Sequence, residues 1–163
     1  MRRFEQDLLA LVPQLRRFAR SLTHDISDAD DLCQSALERA LKARDQWQSD
    51  TRLDAWMYRI MKNCWIDEVR RRSRRGARLA PEEAGLSVAS DDHLAIERHL
   101  ELGEVDRAMA SLPPEQREVI GLVLVEGLAY REAADVLGIP MGTLTSRLVR
   151  GRQALIATLQ PES

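Results

Sequence analysis

The stretch Tyr130–Leu155, YREAADVLGIPMGTLTSRLVRGRQAL, constrains this chain more than any other. Its pattern predicts two short helices joined by a tight turn. Gly138 supplies the left-handed geometry that ends a helix, and Pro140 prevents that helix from continuing. Ala134 is small enough to let the two helices approach. At about 100° per residue, Leu144, Leu148, Gly151 and Leu155 fall on one side of the second helix. Thr143, Ser146 and Arg150 fall on the other, with Arg147 on the flank. Hydroxyls and guanidinium groups are the groups that contact phosphates and base edges in a major groove. The same pattern also fits a helical hairpin with a solvated arginine face, so the rest of the chain must decide.

The 163 residues are enough for one medium domain or two small ones, and an apolar fraction of 44% allows a packed core. Aromatic residues make up only 4%, and strand-like alternation is absent. No apolar run is long enough to span a bilayer, and the N-terminus, MRRFEQDLLALVPQL, is amphipathic rather than a targeting segment. Cys33 and Cys64 lack CxxC spacing, which predicts reduced structural thiols and a cytoplasmic protein. The net charge of −2 is low for a DNA binder. Residues 1–75 carry 16 basic and 12 acidic side chains, residues 76–107 carry 3 and 8, and residues 108–163 carry 5 and 6. Phosphate neutralisation supplies most non-specific DNA affinity, so the free chain should bind DNA weakly and act with a partner.

Helical periodicity dominates. Leu8, Val12, Leu15, Ala19 and Leu22 form one apolar stripe. Asp28 or Ser27 can cap a second helix running to about Arg44, with Leu32, Ala36 and Ala40 inward. A third runs from about Leu53 to Arg75 and buries Met57, Ile60, Met61 and Cys64. From Gly76 to about Asp92 the periodicity fails, as in a linker. It resumes near Leu94 and runs through Leu102, Val105, Met109 and Leu112 until Pro113-Pro114. A helix from about Glu115 to Glu126, closed by Gly127, precedes the helix-turn-helix. The expected fold is all-α: two small helical domains, 1–75 and 93–163, joined by a flexible linker, 76–92.

Three segments in order resemble the extracytoplasmic-function sigma factors of bacteria. They are DADDLCQSALERAL (28–41), LDAWMYRIMKNCWIDEVRRRSRR (53–75) and LPPEQREVIGLVLVEGLAYREAADVLGIPMGTLTSRLVRGRQAL (112–155). The resemblance implies that the first segment docks on core RNA polymerase. Asp31, Leu32, Gln34, Glu38 and Arg39 are its candidate contacts, and a polar face of both signs suits a charged coiled coil. It implies that the second segment and the loop before it melt and hold the promoter −10 element. Trp47, Ser49, Asp50, Thr51, Arg52, Trp56, Arg59, Lys62 and Asn63 are the candidates there. Single-strand capture needs a pocket, polar donors and nearby cations, and these residues supply them. Trp65 reads as core. The run RRRSRR, residues 70–75, reads either as phosphate contacts or as a solvated helix end. The third segment is similar to the domain that reads the −35 element, with Thr143, Thr145, Ser146, Arg147 and Arg150 facing DNA. Many family members have Arg where this chain has Thr145, a departure that bears on the −35 sequence preferred.

The implied function is a sigma factor that directs promoter-specific initiation with core RNA polymerase. An acidic linker beside basic helices implies a compact inactive form held by an anti-sigma factor. A stand-alone helix-turn-helix regulator would need a dimer interface, and no zipper stripe is present. An enzyme is disfavoured: His24, His93 and His99 lack metal-ligand spacing, and no phosphate loop or nucleophile motif stands out. No cofactor or metal is expected.

Overall fold

The computed structural model describes residues 2–48, 51–76 and 103–159, and among these residues all regular structure is helical. The stretch 77–102, which holds most of the expected linker and the resumed helix near Leu94, lies outside the described residues.

The first unit is three helices: α1 (Arg2–Thr23), α2 (Ile26–Lys42) and α3 (Leu53–Gly76). The apolar stripe of α1 is largely buried as its spacing predicts, with Val12 half-exposed and Phe18 joining Leu8, Leu15, Ala19 and Leu22 in the core. Helix α2 begins earlier than expected. Asp25 is its cap, its side chain accepting from the Asp28 N–H at 3.0 Å. Aspartates at positions 25 and 28 both have the chemistry of a cap, but only the first stands at the bend after α1. Helix α2 also ends two residues short of Arg44, and Arg44–Gln46 forms one 3₁₀ turn. Leu32, Ala36 and Ala40 point inward, against Met57, Ile60, Met61, Cys64 and Trp65 of α3.

The second unit holds α4 (Gly103–Ala110), α5 (Pro114–Ile120), α6 (Tyr130–Leu137) and α7 (Met141–Leu159). Pro114 opens α5, where its missing N–H costs nothing. The expected helix to Glu126 does not form as one α-helix. It widens at Gly121–Val125 into a π-turn, and the Glu126 N–H donates to the Gly121 carbonyl five residues back, at 2.9 Å.

The two units pack on one another and share a continuous apolar cluster. At Gly121 the π-turn lies directly under α1: a Cβ there would sit 3.1 Å from Ser21 Cβ and 3.2 Å from Phe18 Cε1. Beside it the Arg117 guanidinium donates to the Leu22 carbonyl at 2.8 Å, covering a free acceptor at the end of α1. Arg20 pairs with Asp106 at 3.0 Å. Leu15 is 0% exposed in the helix that touches both units. Leu15→Ala should therefore lower the unfolding free energy by about 2–5 kcal/mol, read from the midpoint shift in a urea titration.

Candidate nucleic-acid interface

The turn before α7 is built as expected. Gly138 has φ 66°, and the Ile139 N–H donates to the Ala134 carbonyl at 3.1 Å. Leu144, Leu148 and Gly151 are buried on α7, and Leu155 is half-buried. A Cβ on Gly151 would meet Ile120 Cδ1 at 2.5 Å, so any larger residue there must displace the tip of the Ile120 side chain. That pose leaves Thr145, Ser146 and Arg150 exposed, with Thr143 and Arg147 half-buried. The Thr145 hydroxyl donates to the Met141 carbonyl at 2.9 Å, so it is used within its own helix. Ser146 and Arg150 have no side-chain partner among the described residues.

The other candidate DNA face lies on α3 and the loop before it. Trp47 and Trp56 form an aromatic cluster with Phe4, the ring centroids 5.5 Å (Phe4–Trp47) and 6.1 Å (Phe4–Trp56) apart. The Trp47 Nε1–H is buried without an acceptor among the described residues. Thr51 donates its hydroxyl to the Gln48 carbonyl at 2.7 Å, while Ser49 and Asp50 lie outside the described residues. Arg52 makes a forked pair with Asp54, at 2.7 and 3.0 Å, and also pairs with Glu132. Arg59 donates to the Asp135 carbonyl at 3.0 Å and Lys62 to the Leu137 carbonyl at 3.4 Å. Asn63 is exposed. Three expected −10 cations are thus held by the last turn and the first turn of α6. Trp65 is buried, as expected.

Glu126 ties the units together. Its side chain is 0% exposed and accepts from Arg17 Nε and Nη2, at 2.9 and 2.8 Å, and from the Tyr58 hydroxyl at 2.9 Å. Burial, then the bond to Glu126, pushes the Tyr58 hydroxyl well above its ordinary pKa. Glu132 is held below the usual carboxylate range by Arg52 and then by the Ala129 N–H. Sequence reasoning singled out neither glutamate. The one available signal was local: Glu132 stands three residues after Ala129, at the position of a capping-box carboxylate.

The face of α2 opposite the core borders a cleft of about 310 Å³. Asp31, Gln34 and Glu38 line one wall and buried Leu32 the floor. Arg39 stands outside, paired with Asp67 at 3.4 Å. The facing wall was not expected: Trp65, Glu68, Arg71 and Arg72. Arg72 bridges Asp28 at 2.9 Å and Glu68 at 3.2 Å, and lies 5.8 Å over the Trp65 ring. Within the basic run, Arg71 and Arg72 are therefore engaged with acids, whereas Arg70, Arg74 and Arg75 are exposed. Cys33 and Cys64 are buried free thiols, both pushed up in pKa by desolvation. Among the described residues no His, Cys, Asp or Glu group could hold a metal ion, and no helix is long and apolar enough to cross a membrane.

An all-helical chain with a cation-bearing α3 and an exposed helix-turn-helix has the build of a polymerase specificity subunit. The Sigma-70 region 2 family matches residues 8–75, and the Sigma-70, region 4 family matches residues 102–155. The ECF RNA polymerase sigma factor EcfG of Rhodopseudomonas palustris is 39% identical over 155 residues, covering 94% of this chain and 83% of that one. SigC of Mycobacterium tuberculosis is 34% identical over 167 residues, covering 99% and 85%. The solved sigma factor RpoE in complex with the anti-sigma factor NepR, from Bartonella quintana, matches with TM-score 0.82 and 29% identity over 100% of both chains. CnrH in complex with the cytosolic domain of CnrY matches with TM-score 0.71 and 28% identity over 99% of this chain and 90% of that one. The chain belongs to the extracytoplasmic-function sigma factors of RNA polymerase.

One buried acid lies between the two candidate DNA faces. Glu118 is 8% exposed, and burial raises its carboxyl above the usual range against the pull of Lys62 and Arg147. Folding thus favours its protonated form. The charged form burdens the folded state above the folded pKa, and the burden vanishes below the unfolded value of about 4.3. Glu118→Gln should accordingly raise the melting temperature near neutral pH, with the gain shrinking to nothing as pH falls to about 4. Paired thermal melts across that range check it.

Proposed function

We propose that residues 1–75 act as sigma region 2, 76–92 as the linker and 93–163 as sigma region 4. Asp31, Gln34, Glu38 and Arg39, above Leu32, dock on core polymerase. Trp47, Ser49, Asp50, Thr51, Arg52, Trp56, Arg59, Lys62 and Asn63 hold the −10 element. Thr143, Thr145, Ser146, Arg147 and Arg150 read the −35 element, with Thr145 acting through its methyl group, since its hydroxyl is used within the helix. The observation that carries this reading is the pair Ser146 and Arg150, exposed and without partners among the described residues, on a helix whose opposite side is anchored by Leu144 and Leu148. The chain works in the cytoplasm as a specificity subunit and supplies no catalytic group of its own. An anti-sigma factor controls it. This is supported by the solved relatives, which are complexes with NepR and with the cytosolic domain of CnrY.

Arg150→Ala should leave core binding intact and weaken −35 recognition. Loss of a two-pronged base contact removes about 1–3 kcal/mol of discrimination at one base pair, whereas loss of a phosphate contact weakens all sequences alike. Gel shifts of the reconstituted holoenzyme on promoter variants separate the two. Unchanged binding to every variant would remove Arg150 from the −35 face. The same gels run without core enzyme should show weak duplex binding by the free chain.

A further inference from the structure

We propose that Phe4, in the first turn of α1, is a positioning residue for the −10 element: it fixes the entry to the loop Trp47–Arg52 and so sets where that loop points. The inference rests on the reading of this loop as part of the −10 contact. Phe4 is buried and packs against both tryptophans that flank the loop. Its centroid lies 5.5 Å from that of Trp47, with the rings tilted by 45°, and 6.1 Å from that of Trp56, edge-on at 69°. Trp47 and Trp56 are themselves 6.5 Å apart. Tilted and edge-on aromatic pairs attract over centroid distances of about 4.5–7 Å, so all three contacts are favourable. The rings close a triangle with one corner on α1, one at the loop entry and one in the first turn of α3.

The loop depends on this triangle at one end. Its exit is fixed by α3: the Trp56 N–H donates to the Arg52 carbonyl at 3.2 Å, and Arg52 forks onto Asp54. Within the loop, the Thr51 N–H and hydroxyl both donate to the Gln48 carbonyl, at 3.0 and 2.7 Å. The entry is held differently. The Trp47 N–H donates to the Arg44 carbonyl at 3.2 Å, which ties Trp47 to the turn before it and not to α1 or α3. The indole Nε1–H has no acceptor among the described residues, so the ring is oriented by packing. Arg44 also meets Glu5 at 3.8 Å, but both side chains are well exposed, and such pairs contribute little. The Phe4 ring is therefore what holds the loop entry to α1. A pocket for an unpaired base gains affinity when it is formed in advance, because a loop ordered only on binding loses entropy at that step. Phe4 touches no nucleic acid in this scheme and acts through Trp47.

The test compares Phe4→Leu, which keeps apolar bulk but no ring, with Phe4→Tyr, which keeps the ring. Each is assembled with core polymerase. The probe is a labelled single strand of about 12 nucleotides carrying the −10 element of a promoter that the wild-type holoenzyme transcribes, beside a strand of scrambled sequence. Phe4→Leu should bind the −10 strand about fivefold or more weakly, with the scrambled strand, the −35 duplex and core binding unchanged. Phe4→Tyr should stay within about twofold of wild type. In protein carrying fluorotryptophan, the fluorine resonances of Trp47 and Trp56 should broaden or split in Phe4→Leu, while that of buried Trp65 stays as it was. A Phe4 that only stabilises the fold would instead lower core, −35 and −10 binding together, and that result overturns the proposal. So does −10 strand binding at wild-type strength in Phe4→Leu, or an equal loss in Phe4→Tyr. A separate variant changes Ser49, Asp50 and Thr51 together to alanine. Unchanged −10 strand binding there overturns the loop assignment itself. Weakened binding there, with normal binding in Phe4→Leu, overturns only the role of Phe4.

Discussion

A carboxylate with no water around it must be met by donors, and the relation between the two halves of this molecule turns on one such group. Glu126 stands at the end of the π-turn, and its donors, Arg17 and Tyr58, come from two different helices of the other half. A buried charge with imperfect partners is strongly penalised, so this contact tolerates little displacement. Once it is made, the rest of the interface has little freedom. Gly121 is seated under Phe18, Arg117 reaches the end of α1, and the end of α6 is brought over Arg59 and Lys62.

The near-zero net charge takes on a different meaning in this light. The first half is basic, and three of its cations meet acids of the second half: Arg17 meets Glu126, Arg52 meets Glu132 and Arg20 meets Asp106. These pairs offset part of the basic excess of the first half, while the largest acidic excess, 8 acids against 3 bases, lies in residues 76–107.

The helices themselves were legible in the sequence because their apolar spacing is regular and their ends carry strong signals. Gly138 ends α6 and Pro114 opens α5 where expected. The boundary of α2 was less legible, since aspartates at 25 and 28 satisfy the same chemistry and only the tertiary bend selects between them. The π-turn was not legible at all. Residues 121–125 keep an apolar pattern that suits an ordinary helix, and the wider turn occurs where that segment meets α1. The exposed polar face of α7 could be read from one helix alone, whereas the contacts that hold Arg52, Arg59 and Lys62 could not. Arg17 and Glu126 are 109 residues apart, and no local pattern announces a pairing of that reach. The same holds for the far wall of the cleft beside α2: the spacing of Glu68, Arg71 and Arg72 foretells a pairing along one helix, but not that Arg72 crosses to Asp28.

The two thiols carry a consequence for how this molecule can be informed of conditions in the cell. Oxidants and electrophiles react with thiolates that they can reach. Cys33 and Cys64 are 4% and 6% exposed, and desolvation keeps both in the protonated form. A peroxide or an alkylating agent therefore finds no accessible thiolate here while the fold is intact.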